Sequence, residues 1–154
     1  MLRQLIDRVT SAIDSSKAGD KDTDRESALR MATTVLMIDV ARADHVFDDS
    51  ELDQVLELVE SHFGVTGIAA SELVDQASDK AEQLTSAFEF TQILHKHLDE
   101  AEKARIVALL WQVAYADGRL DKYEDSLVLK ISDLLHVSRG RVMRLKHDAA
   151  QATR

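Results

Sequence analysis

Six carboxylates recur at a spacing that suits either of two kinds of chemistry. The stretch Val40-Ala-Arg-Ala-Asp44-His-Val-Phe47-Asp48-Asp-Ser-Glu51 aligns with Val113-Ala-Tyr-Ala-Asp117-Gly-Arg-Leu120-Asp121-Lys-Tyr-Glu124 at an offset of 73 residues, and six of the twelve columns are identical. The shared pattern is V-A-x-A-D-x-x-[F/L]-D-x-x-E. Asp48 and Asp121 stand three residues ahead of Glu51 and Glu124, the spacing of a capping box with Asp in the cap position. Carboxylates placed there face the positive end of a helix dipole. Phe47 and Leu120 precede the caps and can staple onto the first turn of the next helix. Capping leaves Asp44 and Asp117 unexplained, because an acid at the end of the preceding helix meets the negative end of its dipole. Either these two bond to backbone amides of the turn, or the acids gather oxygens for a hard cation such as Ca²⁺ or Mg²⁺. The first set would be Asp44, Asp48 and Glu51, and the second Asp117, Asp121 and Glu124. The EF-hand spacing D-x-[D/N]-x-[D/N]-G-x5-E is missing from both copies. One eight-residue turn offers too few oxygens to enclose Ca²⁺, so a cation would bind weakly or need both turns to meet.

Other side chains carry weaker chemistry. His95 and His97 are two apart, so on a helix they point in different directions and cannot share a metal. His62 and His136 each follow the second helix of a repeat, where an imidazole can satisfy terminal carbonyls. A di-iron bundle needs Glu-x-x-His pairs; the chain has none, and Asp133-x-x-His136 is the nearest approach. Arg139, Arg141, Arg144 and Lys146 read as helix-end charge complementing a dipole, or as a surface for the acidic middle of another copy. Trp111 and Tyr115 read as core or subunit packing. No nucleophile–base constellation, phosphate loop or cofactor fingerprint occurs, so no enzyme is expected.

The elements that must position the two turns are helices. The chain has 154 residues with no Pro, no Cys and five Gly, too few turn formers for a β-rich fold. Hydrophobic spacing and cap signals divide it into about eight helices. The first covers residues 2–16 and stops before Gly19. The second starts at the Thr23–Glu26 capping box and carries Ala28, Met31, Ala32, Val35, Leu36 and Val40 on one face. The third follows Asp48 with Leu52, Val55, Leu56, Val59 and Phe63, ending at Gly64 and Gly67. Ser71 caps a mostly polar fourth, and Phe88, Ile93 and Leu94 mark a short fifth. The sixth runs from Asp99 with Ile106, Leu109, Leu110, Val113 and Ala114. The seventh follows Asp121 with Leu127, Val128, Ile131, Leu134 and Leu135, and Ser138 caps the last. The reading is therefore an all-α compact helical bundle built from two pseudo-symmetric helix–turn–helix repeats, residues 24–64 and 99–137, in one domain spanning 1–154.

Charge is concentrated along the chain. Residues 44–102 hold fifteen acids against Lys80 and Lys96, a net of −13, whereas residues 103–154 hold ten bases and six acids, a net of +4. The whole chain carries −9, which argues against non-specific nucleic-acid binding. The acidic middle reads as a solvated face or as a surface for cations or a basic partner. The longest apolar stretches fall far short of the roughly 20 residues of a spanning helix. The amphipathic N-terminal segment, with Leu2, Leu5, Ile6, Val9 and Ile13 at helical spacing, reads as docking on the protein's own core and not as a signal peptide.

The paired A-D-x-x-[F/L]-D-x-x-E turns, flanked by apolar helices, resemble the TerB-like family of tellurite-resistance proteins. The likeness spans residues 25–147 and includes Leu135-His-Val-Ser-Arg-Gly-Arg-Val. It implies an all-helical, two-halved, non-enzymatic module associated with tellurite and stress resistance, related to domains found beside chaperone-like modules. It also implies divalent-cation binding by Asp44, Asp48, Glu51, Asp117, Asp121 and Glu124. His45 departs from the glycine, Gly118, at the matching position of the second turn. The expectation is a cytoplasmic protein with a protein partner and no nucleic acid, homo-oligomerisation being left open. The alternative is a purely structural or chaperone-associated helical interaction domain without metal.

Overall fold

A computed structural model describes residues 22–43, 49–82, 88–116 and 120–152. Among these residues there are seven helices and no strand: α1 (Asp22–Ala41), α2 (Asp49–Phe63), α3 (Gly67–Glu82), α4 (Phe88–His97), α5 (Glu100–Ala114), α6 (Lys122–Leu134) and α7 (Arg139–Ala152). The expected helix at 2–16, its stop at Gly19, and the stapling residue Phe47 lie outside the described residues.

Helices α1 and α5 form the centre. An amphipathic surface helix buries one stripe, whereas a helix apolar most of the way round is surrounded. The second half of α1 buries Ala32, Val35, Leu36, Met37, Ile38, Val40 and Ala41, together with Thr33 and Thr34. Both threonine hydroxyls donate to carbonyls one turn back, Leu29 and Arg30, at 2.7 Å, so neither is buried without a partner. Helix α5 buries Ile106, Val107, Leu109, Leu110, Trp111, Val113 and Ala114. The single apolar face expected of these two helices was too narrow; Met37, Ile38, Val107 and Trp111 fill their other sides.

Helices α2, α3, α6 and α7 pack around this pair, and α4 packs on α6. Helix α1 contacts α2, α3, α5 and α6, while α5 contacts α1, α2, α6 and α7. In α2 the expected stripe is present, with Val55 and Val59 buried and Leu52, Leu56 and Phe63 packed against the core. Gly64 ends α2 at φ 68°, its amide donating to the Glu60 carbonyl, the αL termination that glycine makes at least cost. Gly67 does not belong to that ending: it opens α3, four residues before the cap expected at Ser71. Helix α3 is polar outside but lays a stripe of Ala70, Val74, Ala77 and Ala81 inward. These small side chains carry little hydrophobic signal and let α3 lie close to α1 and α2.

Two helix starts follow local chemistry. Asp99 caps α5, accepting from the Glu102 amide at 2.8 Å, while the Glu102 carboxylate accepts from the Asp99 amide at 3.2 Å. That closed capping box sits at the expected start and is legible as D-x-x-E. At α7, the Arg141 amide donates to Ser138 Oγ at 3.4 Å, as a cap there requires. Trp111 is fully buried and ties α5 to α7 by donating from Nε1 to the Val142 carbonyl at 3.2 Å. Lys146 of α7 lies over the same indole, 5.2 Å from the ring centroid, and pairs with Asp125 of α6 at 2.8 Å.

Candidate functional site

The two central helices end alike. At the end of α1 the Arg42 amide donates to Ile38 and that of Ala43 to Val40. At the end of α5 the Tyr115 amide donates to Trp111 and that of Ala116 to Val113. The same four-back and three-back pattern recurs 73 residues later, one residue short of Asp44 and of Asp117. Asp44, Asp48 and Asp117 lie outside the described residues, as does the side chain of Glu51, whose backbone opens α2.

The second turn is described from Leu120 onward. Asp121 has extended backbone and caps α6; its Oδ2 accepts from the amides of Tyr123 at 2.8 Å and Glu124 at 3.3 Å. The capping role read from the sequence therefore holds at Asp121. Both bonds use Oδ2, and Oδ1 makes no hydrogen bond among the described residues. Leu120 packs partly buried against the core, as a residue preceding the cap should.

Glu124 lies where the ends of the two central helices meet. It lines a cleft of about 10 Å³, room for at most one water-sized sphere, with Ala41 from the end of α1, Ala116 from the end of α5, and Gln54 of α2. Gln54 Nε2 donates to the Ala116 carbonyl at 3.5 Å, a long bond joining α2 to the residue before Asp117. The cleft adjoins an open groove of about 340 Å³ between α2, α5 and α7, which shares Gln54, Leu58 and Ala116 and adds Glu57, Ser61 and Gln112. His62, in the last turn of α2, hydrogen-bonds Gln112 Oε1 of α5 at 3.1 Å. Among the described residues, no three His, Asp, Glu or Cys side chains converge as a metal cage.

Near the end of α1, burial pushes the Asp39 carboxyl above the usual carboxylate range, while Arg42 and Lys130 pull it partly back. The basic cluster is placed differently from the expectation. Arg139, Arg141 and Arg144 occupy the first half of α7, toward the positive end of its dipole, and Lys146 lies at its middle, so the cluster does not complement the dipole. Arg139 instead pairs with Asp133 of α6 at 3.2 Å. Sequence spacing gave no sign of one constellation: His136 stacks on His95, and His95 meets the buried Lys103. Those three residues come from three different elements.

The family described as tellurite resistance protein TerB matches residues 30–147. The chain belongs to the TerB family. No curated protein and no solved structure matches it. The TerB match begins inside α1, ends inside α7 and contains both acidic turns, so the family region coincides with the packed helices. Among the described residues of this TerB chain, no helix is long and apolar enough to cross a membrane.

Proposed function

We propose that this TerB-family chain is a non-enzymatic, cytoplasmic interaction module whose two acidic turns together hold a divalent cation. The observation that carries this reading is the cleft at which Ala41, Ala116 and Glu124 meet, because the chain runs from Ala41 and Ala116 into Asp44 and Asp117 within a few residues. One turn supplies too few oxygens; two turns sharing Asp44, Asp48, Glu51, Asp117, Asp121 and Glu124 approach the six to eight that Ca²⁺ takes. Asp121 fits both tasks, capping α6 through Oδ2, while its Oδ1, without a hydrogen bond among the described residues, would serve a metal. The shared groove beside the cleft, with Glu57, Ser61 and Gln112 in its walls, is where a protein partner would sense the cation.

The two halves also read as copies related by a pseudo-two-fold axis. Helices α1 and α3 pack together as α5 and α7 do, α1 meets α6 as α5 meets α2, and α1 meets α5 at the centre. A second reading, helix capping with no metal, draws support from the two cap bonds of Asp121. Calorimetric titration with Ca²⁺, Mg²⁺ and Mn²⁺ separates them. The cation reading expects binding below millimolar concentration that is lost when Asp44 and Asp117 are both changed to Ala. Absence of heat from the parent protein leaves capping as the role of the turns.

A further inference from the structure

Outside the acidic turns, three basic side chains meet where α4, α5 and the turn after α6 converge. Lys103 of α5 is buried, with 4% of its side chain exposed, and its Nζ lies 2.6 Å from Nδ1 of His95 on α4. The only carboxylate near that ammonium among the described residues is the exposed Glu100, at 3.8 Å. An ammonium has protons to give and no lone pair, so Nδ1 of His95 accepts and the ring is neutral, with its proton on Nε2. On its other side His95 stacks with His136, ring centroids 4.0 Å apart and planes 22° from parallel. His136 takes φ 60° to close α6: its amide donates to Asp133 and that of Val137 to Ser132. Glycine occupies the corresponding place after α2, so a histidine there accepts a backbone cost that glycine avoids.

We propose that His95, Lys103 and His136 form an acid-sensitive latch, which holds α4 against α5 and the turn after α6 near neutral pH and releases it when His95 is protonated. A proton on Nδ1 removes the close acceptor of a buried ammonium and places a second positive charge against it. The groups facing His95 are Lys103 and Glu100 from α5 and His136 with the Leu135 backbone from the end of α6; Lys96 and His97 lie on α4 itself. Asp133, the acid nearest His136 in sequence, is held by Arg139. Burial, then Lys103, then His136 push the ring below the ordinary histidine range, against the Leu135 hydrogen bond and Glu100. A depressed folded value means that the stabilisation is present above the unfolded histidine range and is lost as pH falls through the folded value. Release uncovers the buried Leu94 and Leu98, turning α4 and its seat into apolar surface available only in acid.

The test uses the full chain. Histidine titration by nuclear magnetic resonance is expected to place His95 below the ordinary histidine range, and Lys103→Met to raise the His95 midpoint. Amide hydrogen exchange of α4, corrected for intrinsic rates, is expected to open about tenfold more at about pH 5.5 than at about pH 7.5, the scale of losing a hydrogen bond to a charged group. His95→Gln keeps an acceptor for Lys103 but cannot titrate, so it should abolish that difference; Lys103→Met leaves burial and His136 acting on His95, so it should shrink the difference, and it serves if the glutamine variant does not fold. The proposal is overturned if His95 titrates within the ordinary histidine range, if α4 exchange ignores pH, or if the pH response survives undiminished in either variant.

Discussion

Replacing Asp121 separates its two proposed duties, because Ala and Asn remove different things. Asp121→Ala deletes the Oδ2 acceptor of two amides at the start of α6, one at 2.8 Å and one at a longer 3.3 Å. Truncating an N-cap costs about 0.5–2 kcal/mol, and losing a carboxylate at a helix start adds about 0.3–1 kcal/mol. The second bond is long and the site is only partly buried, so water recovers some of the loss. The expected total is about 1–2 kcal/mol, which for a domain of this size lowers Tm by about 3–6 °C. Asp121→Asn keeps a capping oxygen while removing the charge, and should lower Tm by no more than about 2 °C. The assay is thermal unfolding by circular dichroism, first in chelator and then with added Ca²⁺. In chelator the alanine variant should melt well below the asparagine variant; with Ca²⁺ only the parent should gain stability. Equal melting of Ala and Asn variants in chelator would refute the capping argument, and an equal gain for parent and Asn variants would refute a charged ligand at Asp121.

Further predictions concern the scaffold. Asp39→Asn should raise stability at neutral pH, measured as a higher urea midpoint, because the fold disfavours the charged carboxyl; the native group contributes stability below the ordinary carboxylate pKa and loses it as pH rises through its raised folded value, so the gain should vanish near pH 3. Trp111→Phe removes the bond to Val142 and replaces the indole beneath Lys146 with a smaller ring, and should cost about 1–3 kcal/mol in chemical denaturation. Gly64→Ala and Gly140→Ala form a matched pair, since an added Cβ meets nothing at either place. The first sits at φ 68° and should cost about 1 kcal/mol, while the second lies within α7 and should gain about 0.4–1 kcal/mol, both read from unfolding curves.

Much of the fold was legible because its signals are local. The Asp99–Glu102 box, the Asp121 cap and the glycine after Phe63 each act within one turn, and the helices they bound fall where periodicity placed them. The start of α3 was misplaced because Gly67 offers no capping side chain and Ala70, Ala77 and Ala81 barely register as an apolar stripe. Thr33 and Thr34 read as polar, yet they are buried because each bonds its own helix. Lys103 could not be assigned to the interior from its neighbours, since the acceptor that permits its burial is on α4. The duplicated turn pointed to the candidate site, and Asp121 occupies the role its spacing predicts. The meeting of Glu124 with Ala41 and Gln54 depends on how α1, α2, α5 and α6 pack, which no short-range pattern encodes.

The central claim is that one divalent cation is shared by two turns 73 residues apart in sequence. Paramagnetic broadening by substoichiometric Mn²⁺, read from backbone amide resonances, tests it most directly. The account predicts that residues 44–51 and 117–124 broaden together, at the same Mn²⁺ concentrations, and that Ca²⁺ restores both. Broadening confined to one turn, or spread along the exposed acids of α3 such as Glu72, Asp75 and Asp79, would contradict it.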